Sequence, residues 1–208
     1  SVAISRDGNY VAVTSYDGSP YINVYKKSTT GWDKLTVNDV PAGAYYGVGL
    51  SDDGTYLVAS LNTSPYIVFF ENTDDVYNKL SDPTELPPQY ARVIAITPDN
   101  YVLYHECNSP YNLRIYNIAT RDLISKNVPY AQPSYYYDIY YGERTLIAIV
   151  IRYSIYLYEY TGSGSLVALA NVSTGNYAYS CAFSTDGRYI STGLKTYEIV
   201  DNSLVEVP

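Results

Sequence analysis

The chain repeats itself at a fixed step, and this limits its possible folds more than any other feature. Ser19-Pro20-Tyr21 returns as Ser64-Pro65-Tyr66 and Ser109-Pro110-Tyr111, each 45 residues on. Ser5-Arg6-Asp7-Gly8-Asn9-Tyr10 returns as Ser51-Asp52-Asp53-Gly54-Thr55-Tyr56 and as Ser184-Thr185-Asp186-Gly187-Arg188-Tyr189. A shortened copy reads Thr97-Pro98-Asp99-Asn100-Tyr101, and Trp32-Asp33-Lys34-Leu35 matches Tyr77-Asn78-Lys79-Leu80. The fourth copy is degenerate, with Tyr140-Tyr141-Gly142-Glu143-Arg144 where the turn belongs. Self-similarity at this period is the mark of stacked supersecondary units.

Each copy reads as four short strands. In the second, Val48-Gly49-Leu50 precedes the Asp-Gly turn, Tyr56 to Ser60 follows it, Ile67 to Phe70 comes after the Ser-Pro corner, and Asn78 to Leu80 opens the last strand. Asp-Gly between apolar, β-prone runs signals a hairpin, because Gly supplies the positive φ the turn needs. No helical periodicity of useful length competes with this pattern.

Four antiparallel strands repeated at this period suit a propeller blade better than a sandwich, whose successive strands do not repeat in sequence. The middle residue of the first strand is Ala3, Gly49, Ala95 and Ala182 in four copies. Small side chains there let innermost strands of neighbouring blades approach. The expected fold is therefore an all-β, five-bladed β-propeller of four-stranded antiparallel blades. It forms a single domain over 1–208, with blades at approximately 1–41, 42–87, 88–129, 130–172 and 173–208. Ring closure would fall to side-chain packing between blades 1 and 5; the alternative is five blades of a longer ring.

These motifs resemble WD40-like propeller repeats carrying a Ser-x-Asp-Gly-x-Tyr-Leu turn. They are similar in particular to a subgroup in phage and bacterial structural proteins with Ser-Pro-(Tyr/Phe)-Ile-x-(Ile/Val)-Tyr-Lys and an aromatic-x-Lys-Leu strand. Tyr21-Ile22-Asn23-Val24-Tyr25-Lys26 and Trp32-Asp33-Lys34-Leu35 carry the likeness in blade 1; blade 3 matches in part, blades 4 and 5 in outline. What the resemblance implies is a role on a virion, appendage or cell surface. The Trp-Asp and Gly-His pairs of eukaryotic WD40 domains are absent, and with them the Asp-His-Ser-Trp network, which points away from an intracellular signalling scaffold.

Charge narrows the partners. Thirteen basic residues against twenty-one acidic ones give a net charge of -8, and the largest basic cluster is the pair Lys26-Lys27. Binding to a phosphate backbone draws on clustered cations, so no nucleic-acid partner is expected. The longest apolar run, Leu146 to Ile151, is far short of the roughly 20 residues that span a bilayer, so no membrane insertion is expected. With no Met and no basic segment leading into an apolar stretch, residues 1–208 hold no signal peptide, and the start reads as processed, truncated or internal. Cys107 and Cys181 lie in repeats that are not neighbours and are expected to be free thiols.

Groups that could carry catalysis are few. His105, the sole histidine, aligns with Thr14 and Ser60 within a second strand and reads as structural, leaving triads and His-based metal sites without support. A two-carboxylate glycosidase needs only Asp and Glu. Asp138, in the innermost strand of blade 4, and Glu106, beside the Ser-Pro corner, are the candidates, with a solvated channel lining as the plainer reading of Asp138. The recurrent Asp7, Asp53, Asp99 and Asp186 fit a turn role, in which Asp accepts backbone N–H groups, better than a calcium site. No metal and no cofactor are expected. Asn62-Thr63-Ser64 and Asn171-Val172-Ser173 fit the N-glycosylation pattern.

Tyrosine stands out at 28 residues. Tyr10, Tyr56, Tyr101 and Tyr189 begin second strands, and Tyr21, Tyr66 and Tyr111 follow the Ser-Pro corner; these belong to the blade architecture. Tyr45, Tyr46, Tyr90, Tyr135, Tyr136, Tyr177 and Tyr179 precede innermost strands and are expected at one mouth of the propeller. Tyrosine there offers a flat ring with a polar tip for sugars or a protein partner; packing between blades is the competing reading. The leading expectation is a non-enzymatic recognition or structural module that binds protein or glycan through this face. The alternatives are a propeller hydrolase of glycosidase or lactonase type using Asp138 and Glu106, and an assembly or spacer subunit.

Overall fold

The computed structural model describes residues 1–108, 112–129, 136–178 and 180–208. Among them there are strands and turns and no helix, as the alternation of apolar and polar residues requires. The first repeat contains β1 (Val2–Ile4), β2 (Tyr10–Thr14), β3 (Ile22–Lys27) and β4 (Trp32–Val37); the second has β5 (Tyr45–Leu50), β6 (Tyr56–Leu61), β7 (Ile67–Thr73) and β8 (Val76–Lys79). The third runs through β9 (Ala91–Ile96), β10 (Tyr101–Glu106), β11 (Asn112–Asn117) and β12 (Leu123–Pro129). In the fourth stand β13 (Tyr136–Tyr141), β14 (Thr145–Ile151), β15 (Ser154–Gly162) and β16 (Ser165–Ser173), in the fifth β17 (Ala182–Phe183), β18 (Tyr189–Ser191), β19 (Thr196–Val200) and β20 (Ser203–Val207).

Every repeat is an up-and-down antiparallel meander, so sequence order and spatial order coincide. The first two join into one eight-stranded sheet, because β4 and β8 pair in parallel at Thr36–Val76 and Val37–Tyr77. The chain divides into two compact units. One holds the first three repeats; the other holds the fourth and fifth.

The recurrent Ser-x-Asp-Gly motif is a self-contained turn. Ser5 Oγ donates to Asp7 Oδ1 at 2.6 Å and accepts Tyr10 N–H at 2.9 Å, while the same carboxylate oxygen takes Asn9 N–H at 2.9 Å. Gly8 N–H closes onto Ser5 O at 2.9 Å, which demands the positive φ of 70° that glycine adopts without penalty. The pattern recurs around Ser51, Asp53 and Tyr56 and around Ser184, Asp186 and Tyr189. Thr97 and Asp99 reproduce it in the third repeat, with Asn100 at φ 62° replacing glycine. Asparagine is among the few other residues that tolerate this region. In the fourth repeat the motif is lost, and a tighter turn joins Tyr141 to Thr145.

The turn also serves as a socket. A Cβ on Gly54 would lie 2.2 Å from the Tyr10 ring, so the first repeat lays this tyrosine on the second repeat's turn. Tyr140 of the fourth repeat covers Gly187 of the fifth in the same way, at 2.4 Å from a would-be Cβ. Apolar cores fill the space behind these contacts: Ala12, Ile22 and Val24 against Leu57, Val68 and Phe70; Val58, Ile67 and Phe69 against Ile94, Val102 and Tyr116; Ala148 and Leu157 against Ile190 and Tyr197.

Close approach of innermost strands, expected from the small residues, is found at Gly49. A Cβ there would stand 3.1 Å from Ile94 Cγ2 and 3.4 Å from Ile94 O. Strand register places Asp138 at this same position, since Ala3 pairs with Ala12, Gly49 with Val58, Ala95 with Leu103 and Asp138 with Ala148. The Asp-His-Ser-Trp network that the sequence lacks has a substitute between the second and third repeats. Ser60 Oγ accepts Ala91 N–H at 2.8 Å and lies 3.3 Å from Tyr104 Oη, which donates to Gln89 O at 2.7 Å.

Candidate functional site

Tyrosines that the sequence groups together separate in the structure. Tyr45 is core: it is 2% exposed, its hydroxyl donates to Pro41 O at 2.9 Å, and burial pushes its pKa upward. A β-bulge between Tyr45 and Gly47 shifts the pairing of β5 with β6, turning Tyr45 inward while its neighbour Tyr46 stays half-exposed. This corrects its placement among the ligand-contacting residues. Tyr135 and Tyr179 lie outside the described residues. Tyr136 begins β13 and is exposed.

Tyr46 lies at the centre of an aromatic cluster in the first unit. Its ring stacks on Tyr90 with centroids 4.3 Å apart and planes 20° from parallel. Tyr16, in the loop between β2 and β3, meets Tyr46 edge-on at 5.5 Å and 77°. The Arg92 guanidinium lies 6.0 Å from the Tyr46 centroid, within cation–π range. Stacked and edge-to-face pairs are the arrangements favoured by the ring quadrupole, each worth about 0.5–1.5 kcal/mol beyond burial. Tyr46 is thus held rigidly by its neighbours, and Tyr16, 58% exposed, offers the open ring.

The cluster stays neutral well above physiological pH. Burial raises the Tyr46 pKa, helped by the hydrogen bond with Tyr16; burial raises that of Tyr90, helped by Cys107 and opposed by Arg92. Two neutral phenols and a guanidinium therefore present polar edges around a rigid apolar patch.

The second unit repeats the arrangement. Tyr153, in the corresponding loop between β14 and β15, meets Tyr177 edge-on at 5.3 Å and 70°, with the Arg152 guanidinium 5.8 Å from the Tyr177 centroid. Tyr177 precedes an innermost strand, as Tyr46 leads into β5. The sequence reading named Tyr46, Tyr90 and Tyr177 but missed Tyr16, Tyr153, Arg92 and Arg152. Equivalence of loop position between repeats was the available signal for Tyr16 and Tyr153.

The proposed hydrolytic carboxylates are both engaged structurally. Glu106 is 0% exposed; it accepts a short hydrogen bond from Arg114 Nε and bonds from Asn112 N–H and Nδ2, each at 3.2 Å. The Arg114 pKa is raised: burial works against its charge, and Glu106 overcomes it. Asp138 Oδ2 accepts Phe183 N–H at 2.7 Å and Oδ1 accepts Ile139 N–H at 2.9 Å, so the side chain ties β13 to β17. It is a pin between the fourth and fifth repeats, not a channel lining. Beside it, burial first and then the Asp138 charge push the Cys181 thiol up to about 12. Both cysteines are unpaired with each other.

His105 is buried in β10, and desolvation lowers its pKa to about 4, so it is neutral at physiological pH. The turn aspartates are saturated by turn donors. Burial opposes ionisation of Asp7 and Asp53, but bonds from Ser5 and Asn9, and from Thr55 and Ser51, lower both pKa values; bonds from Ser184 and Arg188 lower that of Asp186. Among the described residues no group of three or more His, Cys, Asp or Glu is arranged to hold a metal. Asn62 and Asn171 are both exposed.

No protein-family model matches the sequence, and no curated protein matches it. Solved structures do match. A crystal structure of a protein from Lactobacillus plantarum aligns with TM-score 0.70 at 16% identity over 96% of this chain and 66% of its own. A functionally unknown protein from Desulfotomaculum acetoxidans aligns with TM-score 0.72 at 16% identity over 100% of this chain and 68% of its own. The chain thus spans about two thirds of each neighbour's length. At this identity the likeness concerns the fold alone: all-β and compatible with a propeller-like arrangement.

Proposed function

We propose that the five meanders are β-propeller blades and that the chain is a recognition or structural module without catalysis of its own. It binds protein or glycan through its tyrosine–arginine clusters. A place on a virion, appendage or cell surface follows from the repeat's resemblance to phage and bacterial structural proteins. One observation carries the reading: the same exposed tyrosine, edge-on to a second tyrosine under an arginine, is built twice, at Tyr16/Tyr46/Arg92 and at Tyr153/Tyr177/Arg152. A core filler has no need of an open ring, whereas a stacking surface for sugar or a protein anchor does. The commitment of Glu106 and Asp138 to structural bonds supports the non-enzymatic part.

The test is a glycan array and affinity capture with the intact chain and with Tyr16→Ser and Tyr153→Ser, folding being checked by circular dichroism. Loss of binding in a folded variant is the expected result; binding that survives both substitutions sinks the reading. Turnover of any glycoside or lactone that Asp138→Asn abolishes would replace it with the hydrolase.

A further inference from the structure

The first repeat leaves bare a face that the second and third repeats bury. Val48 and Leu50 in β5 are 4% and 7% exposed, packed against the first repeat. Ile94 and Ile96 in β9 are buried against the second. Strand register identifies Val2 and Ile4 as their counterparts, since they flank Ala3 as Val48 and Leu50 flank Gly49. These two are 63% and 64% exposed, and Val13, paired with Val2, is exposed beside them.

Alternation along the strand separates the two faces of β1. Ala3 packs into the core shared with the second repeat, so Val2 and Ile4 point to the opposite side. An inner strand that keeps Val and Ile on its open side retains the apolar pattern of a buried interface. Polar residues would occupy a face meant for water.

We propose that this face docks a further four-stranded repeat of the same kind, carried by the same polypeptide outside residues 1–208. The five repeats are then an arc of a larger ring. The proposal rests on the propeller reading above and not on the ligand clusters. Two observations select the occupant. The face matches, position for position, the surface by which each of the next two repeats seats on its predecessor. The solved neighbours of the same fold extend beyond the match: with 66% and 68% of their lengths covered, the remainder corresponds to roughly two repeats of this size.

Thiol labelling of Ile4→Cys tests this, with the unsubstituted chain giving the background from Cys107 and Cys181. Labelling is compared in residues 1–208 and in the natural polypeptide with its flanking sequence, and light scattering gives the mass of each. The expected result is fast labelling in a monomeric 208-residue chain and a rate lower by about tenfold or more in the longer polypeptide. Equal fast rates in both, or a natural polypeptide without another such repeat, overturn the proposal. Slow labelling in the 208-residue chain also overturns it, as a self-covered face if monomeric and a second copy as occupant if dimeric. Val13→Cys serves as a second probe should Ile4→Cys fail to fold. None of these outcomes depends on whether Tyr16 or Tyr153 binds a ligand.

Discussion

Glycine at the Asp-Gly turn has two duties, and two substitutions separate them. Gly8 and Gly54 occupy the same turn in successive repeats with φ of 70° and 72°, so an alanine at either bears the same left-handed backbone cost, roughly 1–2 kcal/mol. Their surroundings differ. A Cβ on Gly8 meets nothing within 4 Å, whereas one on Gly54 lies 2.2 Å from Cδ2 of Tyr10 and 2.5 Å from its Cγ. Those are ring atoms near the root of the side chain, so Tyr10 must leave its seat. Displacing a packed side chain adds about 1–3 kcal/mol. Gly8→Ala should therefore cost about 1–2 kcal/mol and Gly54→Ala about 2–5 kcal/mol. Urea unfolding followed by tyrosine fluorescence and circular dichroism measures both. Tyr10→Ala removes the ring, and in a double-mutant cycle it should erase the excess cost of Gly54→Ala. If the two glycines cost the same, or the excess persists without Tyr10, the socket is not what distinguishes them.

Other consequences follow from the buried polar groups. His105 has an ordinary pKa of 6.5 and a folded value near 4, so the unfolded chain takes up its proton first on acidification. Its contribution is intact above pH 6.5 and falls away between about 6.5 and 4, by about 3 kcal/mol in all. His105→Leu should flatten that part of the stability profile, and a lone imidazole titrating near 6.5 in the folded chain by NMR would contradict it. Glu106→Gln leaves the Arg114 guanidinium buried without its carboxylate and should cost about 3–5 kcal/mol in urea unfolding; a cost below about 1 kcal/mol would show the pair to be dispensable. Asp138→Ala restores the small residue of the other repeats but orphans Phe183 N–H, and should cost about 1–3 kcal/mol. Asp138→Asn, which keeps an acceptor oxygen, should cost less; the reverse order in thermal unfolding would refute the pin.

Repeats, strands and turns were legible in the sequence because each is encoded locally. Ser51, Asp53 and Gly54 make their turn almost entirely with one another and with Thr55 and Tyr56, so the string of residues already contains the interaction. The orientation of Tyr45 was not legible. Alternation would let one of two adjacent tyrosines face outward, but the bulge before Gly47 decides which, and it arises from pairing with β6. Glu106 escaped for a related reason. Its partner Arg114 lies eight residues on, across the β10–β11 hairpin, and only the fold of the intervening corner brings the two together. Asp138 needed the register of four separate repeats before it could be recognised as the odd residue in a column of Ala and Gly.

The way the acidic groups are used bears on what the clusters can bind. A net charge of -8 suggests a surface that repels anions and attracts cations. Yet Asp7, Asp53 and Asp186 accept hydrogen bonds within their own turns, and Glu106 and Glu159 are bound to Arg114 and Arg144. Near the tyrosine clusters the closest charged groups in ring contact are cations, Arg92 and Arg152. Screening limits exposed charges to about 8 Å at physiological ionic strength, so a ligand at Tyr16 or Tyr153 senses the local arginine more than the distant excess of carboxylates. Selectivity at these clusters should accordingly favour neutral or acidic sugars and acidic peptide segments over basic ones, in spite of the acidic whole. Salt should weaken binding of an acidic ligand and leave a neutral one unchanged, a contrast that separates arginine pairing from stacking on the same surface.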